Sequence, residues 1–307
     1  MIPDYLAQPY ITLFRGRGDV YGHNEGRCVK EQLTNDVFQK HFSGEAPIGI
    51  YPMVPHFEQF YVAWGCVDFD TADADQNAVK LHDALMEAGI VSWIEKSRSK
   101  GFHVWVFAEQ AVLAEDMRNM LVVASHVAET PTTEVNPKQT TLKAGQYGNY
   151  VRLPYPNLDD QQTDKQRIFH KKDVESGSFN NPMVFGDFVE SAMSLRTPKE
   201  AIQRIASMYQ PPKQTEPIKH DYVYDATLSE AMQILSPLGK VIWRDGPLAG
   251  KDRSSTLAKL GHETVRSGLN PSQTKIVLMT ADKRWGKYHL RHDGELEIDK
   301  LVVRVHS

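Results

Sequence analysis

The run FYVAWGCVDFD, residues 60–70, decides how the rest of the chain reads. It is rich in aromatic and β-branched residues, the composition of a strand, and it ends in two aspartates, Asp68 and Asp70. Side chains at i and i+2 of a strand share a face. The two carboxylates therefore stand side by side, where like charges repel. A divalent cation is the obvious compensating charge. The competing reading is a polar strand end or a helix cap, since Thr71, Asp73 and Asp75 all suit the start of a following helix.

Outward from this run the pattern alternates. DADQNAVKLHDALMEAGI, residues 73–90, carries apolar residues at Val79, Leu81, Ala84, Leu85 and Ala88, a helical spacing closed by Gly89. VSWIEKS and GFHVWVFA then read as a β-hairpin around SRSKG. AVLAEDMRNMLVVASHVA is a second amphipathic helix, and TTEVNPKQ with GNYVRLPYP is expected to form a further pair of short strands, the first holding Glu134. The order β-α-β-β-α-β is that of a ferredoxin-like, or RNA-recognition-like (RRM-like), α+β unit. Such a sheet is antiparallel, with helices expected on one face and the other face free to hold a site. PIGIYPMV, residues 47–54, reads as an earlier strand.

MYQPPKQTEPIKHDY, residues 208–222, is rich in proline and polar residues and reads as a linker. The expected boundaries are a catalytic domain over 1–208, a linker over 209–222 and a helical accessory domain over 223–307. Four helical stretches follow the linker. Their surfaces carry Arg253, Arg284, Lys287 and Arg291 among other cations, which read either as a solvated helical face or as contacts to nucleic-acid phosphates.

Composition sets limits. The 307 residues are 41% hydrophobic and 24% charged, an ordinary globular profile long enough for two domains. The formal net charge of -4 excludes a uniformly basic nucleic-acid coat, although segregated charge stays possible. Two cysteines, Cys28 and Cys66, exclude a disulfide scaffold and a four-cysteine zinc site. No run is long enough for a membrane span, and MIPDYLAQPY lacks the pattern of a signal peptide. A cytoplasmic protein, with no membrane partner, is expected.

Two further groups carry chemistry. Ser97, Arg98, Ser99 and Lys100 form a turn just before His103 on an apolar strand. Hydroxyls, cations and turn N–H groups are what a triphosphate needs. His103 reads either as a hydrogen-bonded core histidine or as a phosphate contact. Lys138 follows a proline turn, and the planar fork of Arg152 suits carboxylate or phosphate.

The ordered series VDFD, then SRSKGFH, then Glu134 followed by GNYVRLPYP resembles the archaeo-eukaryotic primase superfamily, over about residues 10–160. GRCVKEQLTNDVFQKHFSGEAPIGIYPM before VDFD is similar to the primase-polymerases of phages, mobile elements and conflict systems. The resemblance implies a primase catalytic core with a C-terminal helical domain. It further implies that Asp68, Asp70 and Glu134 are catalytic and ligate Mg²⁺ or Mn²⁺. His103, Ser99 and Lys100 would hold the phosphates of an incoming nucleotide. The implied reaction is two-metal nucleotidyl transfer on a single-stranded DNA template, from NTP or dNTP. No G-x-x-x-x-G-K-[ST] motor motif is present, so a helicase partner would be separately encoded. Two rival readings are a metal-dependent nuclease using the same acids and a non-catalytic single-stranded nucleic-acid-binding module.

Overall fold

The computed structural model describes residues 2–23, 25–132, 134–211, 227–247, 252–291 and 293–306. The chain divides into two compact units, Met1–Lys213 and Gln214–Ser307. Most of the expected linker, residues 212–222, lies outside the described residues.

The first unit begins with α1 (Asp4–Leu13), β1 (Tyr21–His23), β2 (Cys28–Val29), α2 (Asn35–Phe42), β3 (Ile48–Ile50) and β4 (Val54–His56). The expected β-α-β-β-α-β series follows as β5 (Gln59–Phe69), α3 (Ala74–Glu87), β6 (Ser92–Lys96), β7 (Phe102–Leu113), α4 (Ala114–Val127) and β8 (Val135–Asn136). The unit is completed by β9 (Val151–Arg152), β10 (Arg167–Phe169), α5 (Lys171–Glu175), α6 (Phe185–Ser194) and α7 (Lys199–Ala206). The main sheet runs β10-β6-β7-β5-β4, with β8 also paired to β5, and its ladders are antiparallel. The order β6-β7-β5-β8 is the ferredoxin-like arrangement, so the fold is α+β.

Alternation in β5 and β7 sends their side chains to two separate cores. Val67, Phe69, Val104 and Val106 pack on one face against Ala78, Leu81 and Leu85 of α3, Met117 and Leu121 of α4, and Ile202 of α7. Trp64, Cys66, Trp105 and Phe107 face the other way. Each such large apolar side chain contributes roughly 1.5–3 kcal/mol by leaving water.

The expectation of helices on one face alone is corrected here. The second face is covered by Tyr10 and Leu13 of α1, Phe38 and Phe42 of α2, Phe188 of α6, and a separate sheet of order β2-β1-β3-β9. The expected pairing of TTEVNPKQ with GNYVRLPYP is also corrected. β8 joins the main sheet through β5, whereas β9 joins β3 in the second sheet. Two-residue strands carry too little alternation to reveal their partner.

The second unit is helical among its described residues. It comprises α8 (Leu228–Ile234), α9 (Pro237–Asp245), α10 (Arg253–Arg266), α11 (Pro271–Trp285), a 3-10 turn (Tyr288–Leu290) and α12 (Gly294–His306). Its helices start where side chains satisfy free N–H groups. Asn270 and Gln273 form a capping box for α11, and the Asp252 carboxylate accepts from Ser255 N at 2.7 Å to start α10. The core is built by Leu257, Leu260, Val277, Leu278, Ile298 and Leu301.

Candidate active site

On the second face of the main sheet, apolar rungs give way to polar ones toward the end of β5. The antiparallel register pairs Trp64 with Phe107, Cys66 with Trp105, and then Asp68 with His103. On the far side of His103, Glu95 of β6 is its partner. Asp68, His103 and Glu95 therefore form one row across three adjacent strands. Asp70 lies just past the end of β5. Helix α3 begins only at Ala74, with Asp73 in the cap position, so neither Asp68 nor Asp70 serves as its cap.

A cleft of about 200 Å³ opens over this row. Of the residues singled out from sequence, it is lined by Asp68, Asp70, Ser97, Arg98, Ser99, His103, Glu134, Lys138 and Arg152. Lys100 is not among the lining residues, although its charge acts on Asp70. Glu134 lies in a turn before β8 rather than in a strand, and its carbonyl accepts a hydrogen bond from Asp68 N at 3.1 Å. That bond brings the third acid to the end of β5. The Glu134 carboxylate is ion-paired with Lys138, one helical turn's spacing away in sequence. Arg152, on β9, enters from the second sheet.

The turn from Ser97 to Gly101 is closed by Ser97 N donating to Gly101 O at 2.9 Å. A β-carbon at Gly101 would lie 2.5 Å from both Asp70 Oδ1 and Phe69 O. Glycine is required there because the turn passes so close to the acid.

Charges of both signs meet in the cleft, where Asp68, Asp70 and Glu134 share the lining with Arg98, His103, Lys138 and Arg152. Burial raises the pKa of Asp70, and the charges of Asp68 and Glu134 push it further the same way, opposed by His103 and Lys100. Burial favours the neutral form of His103, but Glu95 and Asp68 outweigh it and push its pKa up to about 10. His103 Nδ1 lies 2.8 Å from Glu95 Oε2, while its Nε2 is 3.5 Å from Asp68 Oδ1, an ion-pair distance too long for a good hydrogen bond. Asp68 Oδ1 is itself buried and has no hydrogen-bond partner among the described residues.

Asp68, Asp70 and Glu134 are oxygen donors of the kind a hard divalent cation takes, and one of those oxygens, Asp68 Oδ1, is unsatisfied. Among the described residues no group of three acidic, histidine or cysteine side chains is placed to hold a metal ion. The third carboxylate, Glu134, is engaged by Lys138.

Sequence reasoning missed several contributors. Asn136, Asn149 and Gln166 also line the cleft, as does Tyr150, one of three tyrosines (with Tyr147 and Tyr155) that the sequence offers as candidates to sit near a nucleotide's sugar. Tyr150 lies over Gly22 and Gly49, where a β-carbon would come within 2.4 Å of its ring. Of the other tyrosines near the GNY segment, Tyr147 lines a separate pocket, and Tyr155 is buried with its hydroxyl donating to Met183 O at 2.9 Å. Arg118 of α4 donates to Val135 O and Pro137 O at 2.7 and 2.9 Å and so grips the segment between Glu134 and Lys138. Pro154 O accepts from Tyr10 Oη and from His41 Nε2, so LPYP is an anchor for the strand carrying Arg152.

In the second unit the four cations singled out are engaged locally. Arg253 donates to Gly286 O, Arg284 stacks on Trp243 at 4.5 Å, Lys287 lies 5.8 Å from the Tyr288 ring, and Arg291 pairs with Asp293. Lys275, which also reads as a surface cation, is buried between Glu295 and Asp299. Among the described residues no helix is long and apolar enough to cross a membrane.

Comparison with known proteins supplies the remaining facts. The family described as the archaeo-eukaryotic primase domain of the TOTE conflict system matches residues 25–178, half of the chain. No curated protein matches. Among solved structures, the crystal structure of primase RepB' is similar at 12% sequence identity, covering 99% of this chain and 94% of that one, with a TM-score of 0.30.

Proposed function

Because the chain belongs to the archaeo-eukaryotic primase domain family of TOTE conflict systems, we propose that it is a DNA-dependent primase-polymerase. In this reading it makes primers on single-stranded DNA and extends them, in the replication of a phage or mobile element. A primase-type nucleotidyltransferase is the family-level activity. The observation that carries the finer reading is that one cleft is lined both by Asp68, Asp70 and Glu134 and by the SRSK-turn residues Ser97, Arg98 and Ser99. A nuclease needs the acids. The basic, hydroxyl-rich turn beside them suits a nucleoside triphosphate.

Asp68, Asp70 and Glu134 would hold Mg²⁺ or Mn²⁺. Such cations, when bound, supply charge neutralisation at the reacting phosphate and lower the pKa of an attacking hydroxyl. The other roles fall to the chain's own groups. Ser97 and Ser99 offer hydroxyls to phosphate oxygens. Arg98, Lys138 and Arg152 offer fixed or mobile positive charge, and His103 presents Nε2 from the floor. Lys138, paired with Glu134, neutralises that carboxylate and lines the cleft, where its charge would also be available to a phosphate. The cations of the second unit, Arg253, Arg284, Lys287 and Arg291, are proposed to contact template phosphates, with strand separation left to a separately encoded helicase.

The test is primer-free synthesis on single-stranded DNA with Mg²⁺ or Mn²⁺ and labelled nucleotides of both sugars. Products with the wild type and none with Asp68→Ala/Asp70→Ala are expected. Cleavage of the DNA with no incorporation, even onto a supplied primer, would overturn the reading in favour of a nuclease.

A further inference from the structure

Glu95 is 0% exposed, yet it is a carboxylate in the middle of a sheet. Its Oε2 accepts from Trp105 Nε1 at 2.7 Å and lies 2.8 Å from His103 Nδ1, while Oε1 has no hydrogen-bond partner among the described residues. An acid buried with half of its acceptor capacity unused costs stability. An apolar residue of similar size would fill the space at less cost. The bonds that Glu95 does make are therefore the clue to its presence.

We infer that Glu95 is a positioning residue, which holds the His103 ring so that Nε2 faces Asp68 and the phosphate site. This rests on the nucleotide-site reading above. The register makes it geometric. Glu95 on β6 and Asp68 on β5 flank His103 on β7 as direct cross-strand partners. With Nδ1–H donating to Glu95, the opposite ring nitrogen is turned to the cleft. A histidine ring held from behind by a carboxylate keeps one orientation. Trp105 fixes the carboxylate in turn. Its indole is fully buried, edge-on to Phe14 and Trp64 with ring centroids 5.1 Å away in each case. Glu95 is thus clamped by the aromatic core and in turn orients the His103 ring, which lines the cleft.

The test is a double-mutant cycle on the full chain, read as the dissociation constant of a fluorescent nucleoside triphosphate with Mn²⁺. Glu95→Gln is expected to weaken binding about tenfold, and to add no further loss in a His103→Ala background. A loss that is undiminished in that background would overturn the proposal, because Glu95 would then act independently of His103. A wild type that binds no nucleotide would instead overturn the nucleotide-site reading itself, and the proposal with it. If Glu95→Gln fails to fold, the wild type decides through its histidine ring ¹⁵N and ¹H resonances. A proton held on His103 Nδ1, shifted downfield by a carboxylate, is expected. An Nδ1 without a proton would overturn the proposal.

Discussion

Asp68 and Asp282 are both largely enclosed acids at the end of a regular element, one in each unit, and their surroundings differ in kind. Asp282, at the end of α11, is 2% exposed and its bonding is complete. Its Oδ1 accepts from the backbone N–H groups of Lys287 and Tyr288, both at 3.0 Å, and its Oδ2 accepts from His289 N. Asp68, at the end of β5, has a buried Oδ1 with no hydrogen-bond partner among the described residues, only His103 Nε2 at 3.5 Å, and it stands beside a second acid whose proton affinity it raises. A carboxylate with complete hydrogen bonding is a clamp for the chain around it. One left incomplete, next to like charge, is built to receive something positive.

The comparison breaks most sharply at Asp68. Asp68→Asn is expected to reduce nucleotide incorporation by at least about 10³-fold, roughly 4 kcal/mol of barrier, while the melting temperature changes little because relief of the repulsion with Asp70 is offset by loss of the ion pair with His103. A parallel loss of stability and activity would make Asp68 structural. Asp282→Ala should do the reverse. Three backbone donors lose a charged acceptor, which costs the second unit on the order of 3 kcal/mol. Hydrogen exchange at the amides of Lys287, Tyr288 and His289 reads this directly, and unchanged protection would contradict it.

Two buried histidines sharpen the same lesson. His103 stands between carboxylates and is pushed up. Among the described residues no acid pairs with His41 or shifts its pKa. It is fully enclosed, it accepts from Ile48 N at its Nδ1, and its Nε2 faces Pro154 O at 3.0 Å. Burial pushes its pKa down to about 4, reinforced by Arg167 and only partly offset by the Pro154 carbonyl. A depressed histidine leaves the folded state fully favoured above the unfolded value near 6.5. Below that the unfolded chain takes up a proton that the folded chain refuses. The loss should accumulate to about 3 kcal/mol as pH falls from 6.5 to about 4. Urea titrations of wild type and His41→Gln across that window measure it, and identical pH slopes would contradict the assignment.

The smallest expected effect is at Arg118, which supports the third acid from below. Arg118→Ala should cost about 1–2 kcal/mol of stability through two carbonyls left without their donor. Incorporation should fall roughly tenfold because Glu134 is no longer held in place. Unaltered incorporation would show that β8 positions Glu134 without help.

Much of this was legible in the residues. The spacing of Leu81 and Leu85 marked α3, the hairpin around SRSKG was plain, and Asp68 and Asp70 line one cleft although Asp70 lies past the end of the strand. Glu95 was missed although the signal was present. Counted outward from the SRSKG turn, the hairpin register sets Glu95 opposite His103, but a lone acid in VSWIEKS reads first as a solvent-facing residue. The second sheet and the covering of the second face were not legible. They depend on β1, β2, β3 and β9, three residues or fewer each, whose pairing is decided by packing between distant segments rather than by local pattern. Arg118 was invisible for a similar reason, since only the folded α4 shows which carbonyls its guanidinium reaches.

The most direct measurement is Mn²⁺ binding by electron paramagnetic resonance, with a nucleoside triphosphate present, on wild type and Asp68→Asn/Asp70→Asn side by side. The account predicts tight Mn²⁺ uptake by the wild type and its loss in the variant, with both proteins folded. Equal uptake by the two, or none beyond that of the free nucleotide in the wild type, would contradict it.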